Sequence, residues 1–359
     1  MIADRAVIGR SLLARGNRSR LVRVMKAALA GEKITVGFIG GSITQGAYAS
    51  DASRFSYAAR VRDWWESTFP NARIDYVNAG VGGTQSILGV HRAQTDLLVH
   101  KPDFVIVEFA VNDGADEWQT EAYANLVYRI LACDSMPAVL MLFTMNRDGS
   151  NTQETEIPVG TYYSLPMISV RDALKPEIES GRIRWDDIGA DWVHPNDTGH
   201  GIIAGLVTAY LADTLLGIDG IDDADEPLPV PYISEKYAAA HVCDHGNTAP
   251  VSLGSFAVRR ETERTWLRFT EPWYCEDGSE PILFRVTGSR IFLLYEGGTT
   301  GQHRIAVSID GGEYREITET ALDAGSAALY AAYEGDCGTH SVAIKRLSGA
   351  FSLKALLVS

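Results

Sequence analysis

The sequence predicts an α/β domain built on a parallel sheet flanked by helices, followed by an antiparallel, jelly-roll-like β-sandwich. Three observations predict it. Residues 1–220 alternate short apolar runs with stretches of helical period, the pattern of a layered α/β fold. Residues 221–231 are rich in Asp, Glu and Pro, which neither extend a helix nor join a central strand, and they read as a linker. In residues 232–359 apolar residues alternate with polar or small ones between frequent turns, the mark of short antiparallel strands.

In chain order, Arg20 to Ala30 reads as an amphipathic helix. Ile34–Ile39, Ile74–Asn78, Phe104–Phe109 and Ala138–Thr144 are apolar, β-branched runs expected as buried parallel strands. Tyr57–Phe69, Ser86–Val99 and Glu121–Cys133 are the helices expected between them. Gly199 to Leu216 carries Ile202, Ile203, Leu206, Tyr210 and Leu211 at helical spacing. Beyond the linker, Ile305, Val307 and Ile309 alternate up to an Asp310-Gly311-Gly312 turn, and Val342 with Ile344 and Phe351 with Leu353 repeat the pattern. Thr287-Gly288-Ser289, between two apolar runs, predicts a further hairpin.

Composition narrows the function. The 359 residues carry a formal net charge of −14, which argues against nucleic-acid binding and against an anionic membrane surface. No run reaches the ~20 apolar residues of a membrane span, and the arginine-rich start lacks an apolar signal core. Four scattered cysteines suit reduced thiols better than disulfides. A cytoplasmic location is expected.

Four blocks carry the chemistry. Gly40-Gly41-Ser42-Ile43-Thr44, Asn78-Ala79-Gly80-Val81-Gly82-Gly83-Thr84 and Phe109-Ala110-Val111-Asn112-Asp113 each follow an expected strand. Carboxyl ends of parallel strands gather on one sheet edge, where sites form. Asp191-Trp192-Val193-His194-Pro195 precedes the last helix of the domain. Ser42 alone could be a mere helix cap. With the partners downstream it reads as a nucleophile, His194 as its base and Asp191 as the group that orients the imidazole. The Ser42 and Gly83 N–H groups and the Asn112 amide are the candidate oxyanion donors.

These blocks resemble those of the SGNH hydrolases, the GDSL-like esterase superfamily, over roughly the first two-thirds of the chain. The resemblance implies a flavodoxin-like three-layer fold and the same roles for Ser42, Gly83, Asn112, Asp191 and His194. Two departures stand out. The usual Gly-Asp-Ser-Leu is Gly40-Gly41-Ser42-Ile43, which loses a carboxylate beside the serine. The usual Gly-x-Asn-Asp is Ala110-Val111-Asn112-Asp113. Val307–Gly312 and Gly338–Lys345 resemble, more loosely, hairpins of the β-sandwich beside the catalytic domain in some carbohydrate esterases. There the sandwich comes first; here it follows.

Competing motifs fail. Gly41 and Gly46 have phosphate-loop spacing, but Ala47-Tyr48 replaces the Lys-Ser/Thr that would hold phosphate. Gln85 replaces the third glycine of a dinucleotide fingerprint, and Thr44 the last glycine of a nucleophile elbow. Asp191, His194, Asp197 and His200 recur every third residue, but Pro195 breaks any helix that would align them as metal ligands. His241, Cys243 and His245 fall short of a zinc set. Neither metal nor cofactor is expected. Gly41, Asp113, Trp118 and Trp192 are candidate substrate contacts. For Asp113 the competing role is to hold its own loop, and for the two tryptophans it is ordinary packing.

The expected activity is hydrolysis of small acyl esters, acetyl foremost, on a small-molecule or oligosaccharide alcohol. A lipase, phospholipase or thioesterase of the same superfamily is the rival within enzymes. A non-catalytic carbohydrate-binding protein is the rival outside them. Homo-oligomerisation stays open.

Overall fold

The computed structural model describes residues 4–224, 230–260, 269–296, 303–318 and 327–359. The chain divides into two compact units, Met1–Glu235 and Lys236–Ser359. Residues 225–229 of the expected linker lie outside the described residues.

The first unit runs α1 (Arg5–Ser11), β1 (Leu12–Ala14), α2 (Ser19–Leu29), β2 (Lys33–Gly40), α3 (Ser42–Gln45), α4 (Ala52–Phe55), α5 (Tyr57–Thr68), β3 (Arg73–Gly80), α6 (Ser86–Asp96), β4 (Phe104–Glu108), α7 (Glu117–Ala132), β5 (Ala138–Phe143), α8 (Gln153–Tyr162), β6 (Met167–Ser169), α9 (Val170–Glu179), α10 (Trp185–Ile188) and α11 (Asp197–Leu216). Its sheet has the order β1-β6-β5-β4-β2-β3, parallel throughout except for β1 against β6. Every residue of β4 and β5 is buried, as strands covered on both faces require. Phe38, Phe104, Ile106, Leu140 and Leu142 pack with α2, α5, α9 and α11 into one core.

The four expected strands and five expected helices all form. The sequence reading missed β1 and β6, three residues each, too short to leave a period. It also missed α8 and α9, which contain Pro158 and Pro176, residues that weaken a helical pattern. Helix α7 starts at Glu117, four residues before the expected Glu121, because the Asp116 carboxylate caps it by accepting from the Gln119 N–H at 3.1 Å. Contrary to expectation, α11 is long and apolar enough to cross a bilayer. Its apolar residues, Ile202 to Leu211 among them, are spent in the core of the unit.

The second unit comprises β7 (His241–Cys243), β8 (Ala257–Val258), β9 (Trp273–Cys275), β10 (Ile282–Glu296), β11 (Arg304–Ile309), β12 (Arg315–Thr318), β13 (Ala327–Ser348) and β14 (Phe351–Val358). All pairings are antiparallel, and a sandwich-like core gathers Trp273, Phe284, Leu293, Val307, Ile344 and Leu353. The Asp310-Gly311 turn forms, with both residues at positive φ. The hairpin expected at Thr287-Gly288-Ser289 does not. There β10 continues through an irregularity between Gly288 and Arg290, so the glycine marks a bulge rather than a turn.

Strand β2 lies between β3 and β4, and the three end in one row: Gly40 pairs with Gly80 on one side and with Glu108 on the other. Two buried groups fix that row. Arg92 of α6, only 1% exposed, donates to the Gly40 carbonyl at 3.0 Å and to the Ala79 carbonyl at 2.5 Å, with Asp96 as its ion partner at 3.3 Å. The Glu108 carboxyl accepts from the hydroxyls of Thr44 (3.0 Å) and Thr144 (2.6 Å), joining β4 to α3 and to the residue after β5. Complete burial pushes its pKa up to about 7, against the opposing pull of the two hydroxyls.

Two stability predictions follow from these groups. Arg92→Met strips two buried carbonyls of a donor and removes a cation from beside Asp96, and should cost on the order of 3–5 kcal/mol in urea unfolding. A change within about 0.5 kcal/mol, usual for surface sites, would contradict that role. Glu108 binds its proton more tightly folded than unfolded. Its contribution is therefore complete below pH 4.5 and is lost as pH rises through about 7. Glu108→Gln should flatten the decline in stability across that window. An unchanged pH slope would mean that the carboxyl is not held in its neutral form.

Candidate active site

Ser42 occupies the first position of α3, immediately past β2 at the point where the chain turns from β3 on one side to β4 on the other. The turn is tight: the Gln45 N–H bonds the Gly41 carbonyl, and the Gly46 and Ala47 N–H groups bond the Ser42 carbonyl. The serine is buried, with its hydroxyl pointing at the imidazole of His194, Oγ to Nε2 2.8 Å. On the far side of the ring, Nδ1 lies 2.7 Å from Asp191 Oδ2.

The block that carries Asp191 and His194 is a clasp. Gly189 and Pro195 form an antiparallel bridge, and the Ala190 N–H bonds the His194 carbonyl. Asp191 Oδ1 accepts from the N–H groups of Val193 and His194, both at 2.7 Å. Burial alone would raise the Asp191 pKa. The hydrogen bonds from the His194 backbone and ring and from the Val193 N–H outweigh it, so the carboxyl stays below its ordinary value, an anion beside Nδ1–H. The Asn196 side chain then caps α11 through the Thr198 and Gly199 N–H groups. Asp197 and His200, the other members of the every-third-residue series, face elsewhere. Asp197 accepts from the Ser50 N–H and hydroxyl. His200 bonds the Ala47 carbonyl through Nε2 and the Tyr57 N–H through Nδ1.

Asn112 packs against the residue before Ser42 because residue 41 is glycine. A Cβ there would overlap the Asn112 carboxamide, so the amide occupies the space that a side chain at 41 would fill. Its loop is held from three sides. The Asn112 and Asp113 N–H groups bond the Phe109 carbonyl, Thr152 donates to the Ala110 carbonyl, and Asp113 Oδ1 accepts from the Ser86 N–H at 2.7 Å. Asp113 thus faces the scaffold. Burial raises its pKa to about 7 despite the Ser86 bonds, and the neighbouring Glu108 and Asp116 add to the rise. Glu156, hydrogen-bonded to Thr152 at 2.9 Å, is raised well above its ordinary value by burial and then by Asp113.

Gly83 sits at φ +66°, a left-handed conformation that favours glycine, in the turn after β3. Its neighbour Gly82 lies beside the serine: a Cβ on Gly82 would stand 3.5 Å from Ser42 Cβ. The Gly82 N–H is fixed by Gln45 Oε1 at 2.9 Å. Trp118 is half-buried in the first turn of α7. Trp192 is 55% exposed, its carbonyl accepting from the Arg147 N–H at 2.8 Å.

Three contributors escaped the sequence reading. Arg92 and Glu108 lie in apolar stretches whose period says only that they are buried. Tyr48 has a signal only in retrospect, as the residue that ended the phosphate-loop match. Its ring stacks on His194 with centroids 5.0 Å apart and planes at 27°.

The GDSL-like lipase/acylhydrolase family matches residues 38–202. The chain is similar to a two-domain esterase (CEX) active on acetylated mannans: 30% identity, TM-score 0.89, covering 98% of this chain and 98% of that one. The same esterase co-crystallized with mannopentaose matches at 30% identity and TM-score 0.87, covering 98% of this chain and 97% of that one. No curated protein matches the sequence. The chain belongs to the GDSL-like lipase/acylhydrolase family and is a carboxylic ester hydrolase.

Proposed function

We propose that this protein is a serine esterase that removes small acyl groups, acetyl foremost, from carbohydrate alcohols, with Ser42 as nucleophile. The observation that carries the reading is the unbroken chain Ser42 Oγ–His194 Nε2 (2.8 Å) and His194 Nδ1–Asp191 Oδ2 (2.7 Å). The anionic Asp191 keeps the proton on Nδ1, which leaves Nε2 free to accept. Likeness along both units to an esterase active on acetylated mannans supports the acetyl and carbohydrate halves of the proposal.

Ser42 Oγ attacks the ester carbonyl carbon as its proton passes to His194 Nε2. The tetrahedral oxyanion is met by the N–H groups of Ser42 and Gly83 and by the Asn112 carboxamide. Collapse breaks the bond to the alcohol, which leaves with the proton from Nε2. Water then gives a proton to His194 and attacks the acyl-serine. A second collapse releases the carboxylic acid and returns the proton to Ser42. No step calls on a metal or a cofactor.

Two predictions test this. Ser42→Ala should lower turnover of acetylated oligosaccharides by at least ~10⁴-fold, read as acetate release. Across an acyl-length series the wild type should favour acetyl. Preference for long acyl chains or thioesters would replace the substrate assignment. Asn112→Ala should cost on the order of 10²–10³ in kcat, with little change in KM. Gly41→Ala should reproduce much of that loss by displacing the Asn112 carboxamide. Full kcat in both variants would remove Asn112 from the oxyanion site.

A further inference from the structure

Tyr48 is held in a conformation that its own chemistry disfavours. Its φ is +61°, the left-handed region in which a bulky aromatic residue is a strained outlier. Burial does not compensate, because the residue is 59% exposed. The strain is imposed from both sides. Before Tyr48, the Ala47 N–H bonds the Ser42 carbonyl at 3.0 Å and the Ala47 carbonyl bonds His200 Nε2 at 3.0 Å. After it, the Ala49 N–H returns to the Gly46 carbonyl, and Ser50 is tied to Asp197 at the start of α11. A loop so anchored fixes where the ring points, and it points at the imidazole of His194.

We propose that Tyr48 is a specificity-determining residue that forms a stacking platform for the sugar ring on the alcohol side of the ester. The inference rests on the reading of Ser42 and His194 as the reacting pair. On that reading, His194 Nε2 must hand its proton to the departing alcohol oxygen. The alcohol half of the substrate must therefore lie beside the imidazole, whereas the acyl half lies toward the oxyanion donors. A ring stacked on the imidazole and still largely open to solvent borders the alcohol half. The apolar C–H face of a pyranose fits an exposed aromatic face, and the stacking needs the ring rather than the phenol hydroxyl. A small aliphatic alcohol offers no such face.

The test compares kcat/KM for an acetylated manno-oligosaccharide with kcat/KM for ethyl acetate, in wild type and in Tyr48→Phe, Tyr48→Ala and Tyr48→Gly, with Ser42→Ala as blank. The ratio of the two constants should fall about tenfold in Tyr48→Ala and Tyr48→Gly, chiefly through KM for the sugar ester, and should be kept in Tyr48→Phe. Tyr48→Gly relieves the left-handed strain, so its thermal midpoint should match or exceed that of the wild type, which separates the loss from unfolding. An unchanged ratio in Tyr48→Ala, with Ser42-dependent turnover intact, overturns the platform and leaves the esterase reading standing. Absence of Ser42-dependent turnover of either ester in the wild type overturns both.

Discussion

The site depends on one register. Strands β4, β2 and β3 end together, with Glu108, Gly40 and Gly80 side by side, and the chain leaves each strand directly into a block that carries chemistry. A one-residue slip of β3 or β4 against β2 would turn every side chain of the slipped strand to the opposite face and move its loop along the sheet. The Arg92 guanidinium is bonded to the carbonyls that precede the serine turn and the Gly82-Gly83 turn, so it measures that alignment directly. A buried arginine is a costly ruler, because it must be taken out of water. Its two carbonyls and Asp96 return enough for the register to have a single solution.

His194 enters from much farther along the chain and needs a different device. Its block is not on a strand end of the sheet. The Gly189–Pro195 bridge, the two N–H groups turned onto Asp191 and the Asn196 cap close a small rigid loop on the end of α11. Helix α11 is buried against α5 and the sheet, so the clasp inherits the stiffness of the core. The Ser50–Asp197 and Ala47–His200 bonds then tie the loop after Ser42 back to the same helix. Serine and histidine, 152 residues apart in sequence, are thus referred to one helix end.

This explains what was legible in the sequence. Gly-Gly-Ser, Gly-Gly-Thr, Asn-Asp and Asp-x-x-His-Pro can be read because each needs a particular residue at a particular turn, and the apolar strand before three of them supplies the context. Arg92 and Glu108 could not be read in the same way. The period of an apolar run says that a charged residue within it is buried but not what satisfies its charge, and the partners of these two include residues far along the chain. Tyr48 was hidden for the opposite reason: nothing in its neighbours announces a left-handed backbone, which glycine normally signals. The stretches that form α8 and α9, each with an internal proline, drew no reading from the sequence, and Gly288 misled as a turn because a bulge and a turn ask for the same residue.

The exchange at position 41 ties these threads together. Where related sequences of this superfamily usually carry an aspartate beside the serine, this chain has a glycine, and the vacated volume holds the Asn112 carboxamide. On the proposed mechanism that trade favours the oxyanion, since a neutral amide donates where a carboxylate would repel. The same logic runs beneath the site. Glu108, Asp113 and Glu156 are all driven toward their neutral forms by burial, so the floor under the developing negative charge is poor in negative charge of its own. Asp191, by contrast, is held below its ordinary pKa and placed against the imidazole, where an anion stabilises the positive charge that His194 acquires. Acidic residues are plentiful in this chain. Near the serine the fold raises the buried carboxyls of Glu108 and Asp113 and lowers that of Asp191, where the proposed chemistry gains from a charge.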